Sequence, residues 1–271
     1  VEAADAQRLL LTVHYDGSAF HGWQLQPGRR TVQGVLQERL SRLTDRPCTV
    51  LASGRTDSGV HAMGQAVAVD VPVRWSPARL LRALNATLPP DVWVESAVAV
   101  RPDFHPRYDA LSRTYAYRVG THPHAASPFE RRWCWPLGEA LDADLLAVAA
   151  APLAGRHSFW AFSKSGQPER GDACTVRSAA WSEWRLGYCF TITADRFLHH
   201  MVRYLVGTMV DVALGRRPVS DVARLLAKEP GLVTSPPAPP EGLFLMRVEY
   251  PENAVFGQPS GAPPFRRTAP V

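Results

Sequence analysis

Lysine is almost missing from this 271-residue sequence: of 30 basic side chains only Lys164 and Lys228 are lysines, and the other 28 are arginines. The net charge of +5 favours a polyanionic partner, and the arginine fork suits phosphate, although an alanine- and arginine-rich composition also arises from genome bias alone. Cysteine is scarce as well. Cys48, Cys134, Cys174 and Cys189 are scattered, with no C-x-x-C pair and no zinc spacing, which argues against a disulfide-stapled scaffold and a zinc module. No run approaches the ~18 apolar residues of a membrane span, and the N-terminal stretch lacks a basic segment followed by an apolar one. We therefore expect a soluble cytoplasmic protein with no membrane association. The phosphate-loop spacing G-x-x-x-x-G-K-[ST] is absent, as is the glycine- and aromatic-rich strand motif of RNA-recognition modules. What is present is a globular balance, 46% hydrophobic and 20% charged, over about 1.8 times the length of a ~150-residue domain.

Two similar successions of elements run along the chain. Residues 8–14 read as a strand ending at the turn signal Asp16-Gly17. A helix follows over 32–44, with Thr31 as N-cap and Val32, Leu36, Leu40 and Leu43 at helical spacing. Residues 48–52 form a short strand and 65–71 an alternating one; Ser76-Pro77 opens a second helix, cap then N1 proline, and 92–100 closes the set as a strand. The second half gives a strand at 114–119, a helix at 141–153, and a hairpin of 176–186 and 188–194 turning at Gly187. A long helix at 197–214 follows, then a short one at 221–228 capped by Ser220, and a last strand at 243–250. Both halves read β-α-β-β-α-β, the split βαβ order of ferredoxin-like folds. The expected fold is α+β, two ferredoxin-like halves joined around a cleft, with mostly antiparallel sheet. The expected domains are residues 1–106, residues 107–250 and a Pro/Gly-rich loose tail, 251–271. The Pro-rich stretch 235–240 reads as a loop.

Three segments carry chemistry. Gly54-Arg55-Thr56-Asp57-Ser58-Gly59-Val60-His61-Ala62 lies between two strands and offers Arg, Thr, Asp and His on one turn, as a catalytic loop would. A plain polar hairpin connection accounts for it equally well. The segment Phe197-Leu-His-His-Met-Val-Arg203 opens a helix apolar around nearly its whole circumference, so Arg203 needs a carboxylate partner. His199, Arg203 and Gly207 would form one polar stripe. Asp57 is a better partner than Asp211, which sits ~12 Å further along the same helix axis; a purely structural ion pair is the competing reading. The His199-His200 pair has no Cys, Glu or third His at ligand spacing, so no metal is expected. In the third segment, residues 104–118, aromatics alternate with arginines, with Tyr115 and Tyr117 on one strand face. That suits base stacking beside phosphate contacts, although an ordinary packed sheet face with surface arginines is the commoner arrangement.

In order along the chain these segments resemble the tRNA pseudouridine synthase A family: Y-D-G-S-A-F-H-G-W-Q at 15–24, T-V-Q-G-V-L-Q at 31–37, G-R-T-D-S-G-V-H-A at 54–62, F-H-P-R-Y at 104–108, S-R-T-Y-A-Y at 112–117, F-L-H-H-M-V-R at 197–203 and E-G-L-F-L-M-R-V-E-Y at 241–250. Ser58 and Tyr204 depart mildly from the family pattern, and the insert over 163–172 aligns poorly. The resemblance implies isomerisation of uridine to pseudouridine at positions 38, 39 and 40 of the tRNA anticodon arm, with no metal or other cofactor, by a homodimer. Asp57 matches the essential aspartate, acting at the anomeric carbon or through a glycal-type intermediate, and Arg203 its counter-ion. Tyr115 matches the tyrosine that stacks on the target base and helps to move the C5 proton. Arg55 would fill the space left by the flipped nucleotide, Leu245 would wall the uracil pocket, and Phe104, His105, Arg107 and Tyr108 match a tRNA-contact segment. A non-catalytic RNA-binding module and an aspartate-nucleophile hydrolase are the competing classes; the second calls for another carboxylate or a metal near Asp57.

Overall fold

The computed structural model describes residues 5–164 and 171–261. In chain order the elements are β1 (Ala6–Tyr15), α1 (Val32–Thr44), β2 (Val50–Ala52), β3 (His61–Pro72), α2 (Pro77–Thr87), β4 (Val92–Val100), β5 (Ser112–Gly120), β6 (Trp135–Pro136), α3 (Ala143–Ala150), β7 (Gly155–Ser158), β8 (Ala173–Trp184), β9 (Gly187–Ala194), α4 (Met201–Ala213), α5 (Asp221–Leu226), β10 (Leu243–Glu249) and β11 (Val255–Gly261). The fold is α+β, and its sheet is mostly antiparallel. The chain divides into two compact units, one running up to Leu111 and resuming at Leu245, the other spanning Ser112–Phe244.

In the first unit the strands lie in the order β11-β4-β1-β3-β10, and β2 pairs with β3 further along that strand. Thr31 and Ser76 act as the N-caps their spacing implies: Thr31 Oγ1 accepts from Gly34 N at 3.2 Å and Ser76 Oγ from Arg79 N at 3.4 Å. Val32, Leu36, Leu40, Leu80 and Leu84 form fully buried helix stripes. Along β1, Leu9, Leu11 and Val13 point to one face and Leu10 to the other. The Leu10 face is covered by a second cluster of Ala66, Ala68, Val98, Val100, Phe104 and Ala254, with Val248 and Tyr250 at its margin. Both faces of β3 are therefore covered, and only Asp70 along it is exposed. The A-V-A-V alternation read over 65–71 is an alternation of size, not of polarity.

Residues 107–111, expected in the second half, belong to the first unit. Leu111 N donates to Glu249 O at 2.8 Å, Tyr250 Oη to Pro106 O at 2.7 Å, and Arg101 pairs with Asp109 at 2.7 Å. The stretch expected as a loose tail begins with an ordered strand: β11 pairs antiparallel with β4, Val255 opposite Val100 and Gly261 opposite Ser96. Residues 262–271 of that tail, and 165–170 of the insert, lie outside the described residues.

In the second unit β5-β9-β8-β7 form an antiparallel ladder, and β6 runs parallel to the end of β5. The β8–β9 hairpin turns at Arg185-Leu186; Gly187, expected at the turn, is the first residue of β9, paired with Trp184. Two helices are shorter than their apolar periodicity suggests. α3 starts after Asp142, whose carboxylate accepts from Leu145 N at 3.0 Å, so the cap overrides the apolar Leu141. α4 starts at Met201 because His200 adopts a left-handed conformation, φ 63°, which ends the helix on its N-terminal side. His199 is thus off the helix, and the stripe expected of it with Arg203 and Gly207 does not form. Ser220 makes no side-chain capping bond to α5. The Pro-rich loop 235–240 is ordered by its partners: Ala238 is buried, and Pro239 O accepts from the Tyr117 hydroxyl at 2.6 Å.

Candidate active site

The loop from Ser53 to Val60 joins β2 to β3, and every part of it is tied down from within the first unit. At its near end Ser53 N donates to Ala66 O at 2.9 Å, and Gln65 Nε2 donates to Gly54 O at 2.8 Å. In the middle, Thr56 O accepts from Trp23 N at 3.0 Å, and Thr56 Oγ1 shares a 2.7 Å bond with the Tyr15 hydroxyl. At the far end Ser58 Oγ and Gly59 N both donate to Phe20 O, and Val60 N closes a turn onto Asp57 O at 3.2 Å. What this scaffold presents is selective. Thr56 and Val60 are buried, Asp57 is half-buried, and Arg55 and Ser58 are exposed.

Segment 15–24 is the buttress for that loop. Phe20 and Trp23 are buried, and Arg30 stacks over the Phe20 ring at 4.0 Å while forking onto Asp91 at 2.7 and 2.9 Å. Its two glycines are dictated by closeness. A Cβ on Gly17 would run into the Val60 carbonyl, and one on Gly22 would lie 2.7 Å from Thr56 O. His61 Nδ1 accepts from Gly17 N at 3.0 Å, so its 3.3 Å approach to Asp16 is not an ion pair, because that nitrogen's lone pair is already engaged.

Phe104 has no exposed surface and serves as an apolar anchor, edge-on to Tyr250 with centroids 5.0 Å apart. A fully buried ring has nothing to offer an RNA; by burial it contributes about 1.5–3 kcal/mol to holding the segment. What the segment does present is Tyr108, 60% exposed, with the His105 ring 4.2 Å away and the Arg107 guanidinium 5.7 Å from its centroid. Burial pushes the His105 imidazole down from its ordinary value, and its Nδ1 accepts from Arg107 N at 3.1 Å, so it is a neutral ring near pH 7. Burial alone would raise the Asp109 carboxyl, but His105 N–H and the Arg101 guanidinium outweigh it and hold the carboxyl below its ordinary value. Leu245, in β10, is fully buried.

In the second unit Tyr115 stands opposite Ile192 on β5, half-buried, with its ring T-shaped on Phe197 at 4.8 Å. Tyr117, two residues on, is wholly buried, so only Tyr115 of the two tyrosines is available to a base. Arg203, half-buried in the first turns of α4, is clamped to the Pro-rich loop from both ends of the residue: its Nε donates to Ala238 O at 2.7 Å, and Ala238 N donates to its carbonyl at 2.9 Å. That fixes the guanidinium's direction.

Gln65, Tyr15, Ser53 and Ala238 were not singled out from the sequence. For Gln65 a signal exists: it is the one amide in an otherwise apolar stretch of a buried strand. For Ala238 there is none, because it acts through its backbone.

A family model described as tRNA pseudouridine synthase matches residues 11–109 and 149–251. The chain is 40% identical over 256 residues to a tRNA pseudouridine synthase A of Myxococcus xanthus, covering 94% of this chain and 96% of that protein. It is 41% identical over 244 residues to one from Moorella thermoacetica, 89% and 99% of the two chains. With one from Solidesulfovibrio magneticus the identity is 40% over 262 residues, 93% and 94% of the two.

Proposed function

The chain belongs to the tRNA pseudouridine synthase family, a family of isomerases, and from that premise we propose that it converts uridine to pseudouridine at positions 38, 39 and 40 of the tRNA anticodon arm. The observation that carries the reading is the loop around Asp57: a half-buried carboxylate on a backbone anchored on both sides, flanked by an exposed arginine. A nucleoside inside a stem cannot present its glycosidic bond to such a loop, so the base must be flipped out, at a cost of a few kcal/mol of unstacking. Arg55, exposed beside Asp57, is the side chain to occupy the vacated space. Tyr115 supplies an aromatic face for the extruded uracil, worth about 1–3 kcal/mol.

In the reaction the N1–C1′ bond breaks, the base turns, and a C5–C1′ bond forms; C5 gives up its proton and N1 regains one, so the product is an isomer. Asp57 acts on the ribose as an anion, and Arg203 is its counter-ion, keeping it charged in a partly dry site. Tyr115 helps to move the C5 proton. Leu245, fully buried in β10, backs the uracil pocket from beneath and does not line it, and His105, Arg107 and Tyr108 contact tRNA from a segment that Phe104 anchors. No cofactor takes part, and the protein acts in the cytoplasm as a homodimer. Each half is ferredoxin-like. In support, the first unit has the strand order β4-β1-β3-β2 with two helices between its strands, and the second contains β5-α3-β8-β9-α4 in that order, with β6, β7 and α5 added.

Tritium release from 5-tritiated uridine in an anticodon stem-loop tests this. Asp57→Asn should abolish release while tRNA binding stays within about a few-fold, the signature of an interaction made only in the transition state; full activity of that variant refutes the assignment. Substrates with uridine at only one of positions 38, 39 or 40 test the site specificity.

A further inference from the structure

Beneath the Asp57 loop runs a buried hydrogen-bonded chain that the scheme above does not use. Gln65 has no exposed surface, and its carboxamide is engaged at both ends. Oε1 accepts from Ser53 Oγ at 2.8 Å; Nε2 donates to Gly54 O at 2.8 Å and reaches the Tyr15 hydroxyl at 3.4 Å. Tyr15 in turn is 2.7 Å from Thr56 Oγ1. One side chain thus fixes Ser53 and Gly54 directly and Thr56 through a relay, the residues on either side of Arg55 and up to Asp57. The β1–β3 register shifts between Val13 and Tyr15, opposite residues 62–65, and such irregularities re-aim side chains beside functional sites. An apolar residue would serve packing at this position without the desolvation cost of an amide.

We propose that Gln65, with Tyr15 as its relay, is a positioning residue for the isomerisation: it sets the backbone of residues 53–56 and so the aim of the Asp57 carboxylate and the Arg55 guanidinium, without touching RNA. This rests on the reading of Asp57 as the catalytic carboxylate. The far end of the loop is held separately by Phe20 O, so loss of the Gln65 chain tilts the near end while the loop stays in place. Phosphate-contacting arginines elsewhere are unaffected. The effect falls chiefly on kcat, with tRNA Kd moved by no more than about a few-fold through Arg55.

The test uses the full chain and the tritium-release assay. Gln65→Met keeps length and removes both hydrogen-bonding ends; a displacement of about 1 Å at a reacting group lowers kcat roughly 100-fold, so we expect a 10–100-fold loss. Tyr15→Phe deletes only the relay hydroxyl and should lose less, about 3–10-fold. Gln65→Glu provides a readout that mere destabilisation would not give. Its buried carboxyl is raised in pKa; protonated, it can donate to Gly54 O, and ionised, it repels that carbonyl. Activity of this variant should therefore fall with rising pH across a range where the parent's does not, with the folded fraction constant by circular dichroism. Should Gln65→Met fail to fold, Tyr15→Phe and Gln65→Glu decide. Parent-like kcat in the folded variants, or a Gln65→Glu pH profile that superimposes on the parent's, overturns the proposal. Asp57→Asn run alongside separates the two levels. If it is inactive while the Gln65 variants are normal, this inference alone falls; if it is active, the catalytic reading falls and takes this inference with it.

Discussion

Gly22→Ala is the sharpest test of how the loop is built. Gly22 adopts φ +79°, where an alanine costs about 1–2 kcal/mol. A Cβ there would also lie 2.7 Å from Thr56 O and 3.1 Å from the Asp57 carbonyl carbon, both backbone atoms that cannot rotate away. Neither side can retreat freely. Gly22 O accepts from Val32 N at the start of α1, and Thr56 O is held by Trp23 N. Overpacking of this kind adds about 1–3 kcal/mol. Gly28 is the internal control: φ +68°, with nothing within 4 Å of its Cβ position. Gly28→Ala should therefore show the backbone term alone, about 1–2 kcal/mol, and Gly22→Ala about 2–5 kcal/mol in total. At roughly 2 °C per kcal/mol for a chain of this length, the two melting midpoints should differ by about 2–6 °C. Because the clash falls on the carbonyl before Asp57, Gly22→Ala should also lose about 100-fold in kcat at a temperature where it is fully folded, while Gly28→Ala keeps parental turnover. If the two variants match in both midpoint and kcat, segment 15–24 is not the loop's buttress.

Three further outcomes follow from single contacts. Tyr117→Phe strands the Pro239 carbonyl and should cost about 1–3 kcal/mol in urea unfolding. Burial also holds the Tyr117 phenol well above its ordinary value, so the unfolded chain loses that proton first; its stabilisation is complete below about pH 10 and fades as pH climbs through the folded value, a slope Tyr117→Phe should lack. Asp221, 4% exposed, bridges Arg217 and Arg224; Asp221→Ala leaves the largely buried Arg217 uncompensated and should cost about 3 kcal/mol, much of it recovered by adding Arg217→Met, whereas a neutral single variant would refute the pairing. All four cysteines are buried, and burial pushes Cys134 up to about 11 and Cys174 up to about 12, so Ellman's reagent at pH 8 should label none in the native protein and all four in denaturant. Rapid labelling of native protein would contradict that burial.

Local chemistry was readable where it acts locally. Thr31 and Ser76 cap their helices because the deciding partner lies within three residues. The Asp57 loop could be located between two strands for the same reason. Where a distant partner decides, the sequence was silent. Phe197 and Leu198 continue the apolar pattern of α4 and yet lie outside it, because the left-handed His200 that ends the helix is invisible to periodicity. β11 is composed like a tail and becomes a strand because β4 offers it an edge. Phe104, grouped with His105, Arg107 and Tyr108 by the motif, is buried in the core while Tyr108 stands out from it, a division that adjacency in sequence does not reveal.

The first unit is interrupted: its strands β10 and β11 arrive only after the whole of Ser112–Phe244. During synthesis the half bearing the Asp57 loop is therefore begun before the inserted unit and completed after it. Until Leu245 emerges, one edge of β3 and one of β4 lack the strands that later cover them, and the Phe104 cluster waits for Val248, Tyr250 and Ala254. Apart from its last strand residues the inserted unit is contiguous, and it can fold while the first is still open. A chain ending at Phe244 should show a protease-resistant middle and a sensitive beginning, and competence for catalysis should come only once β10 and β11 are present.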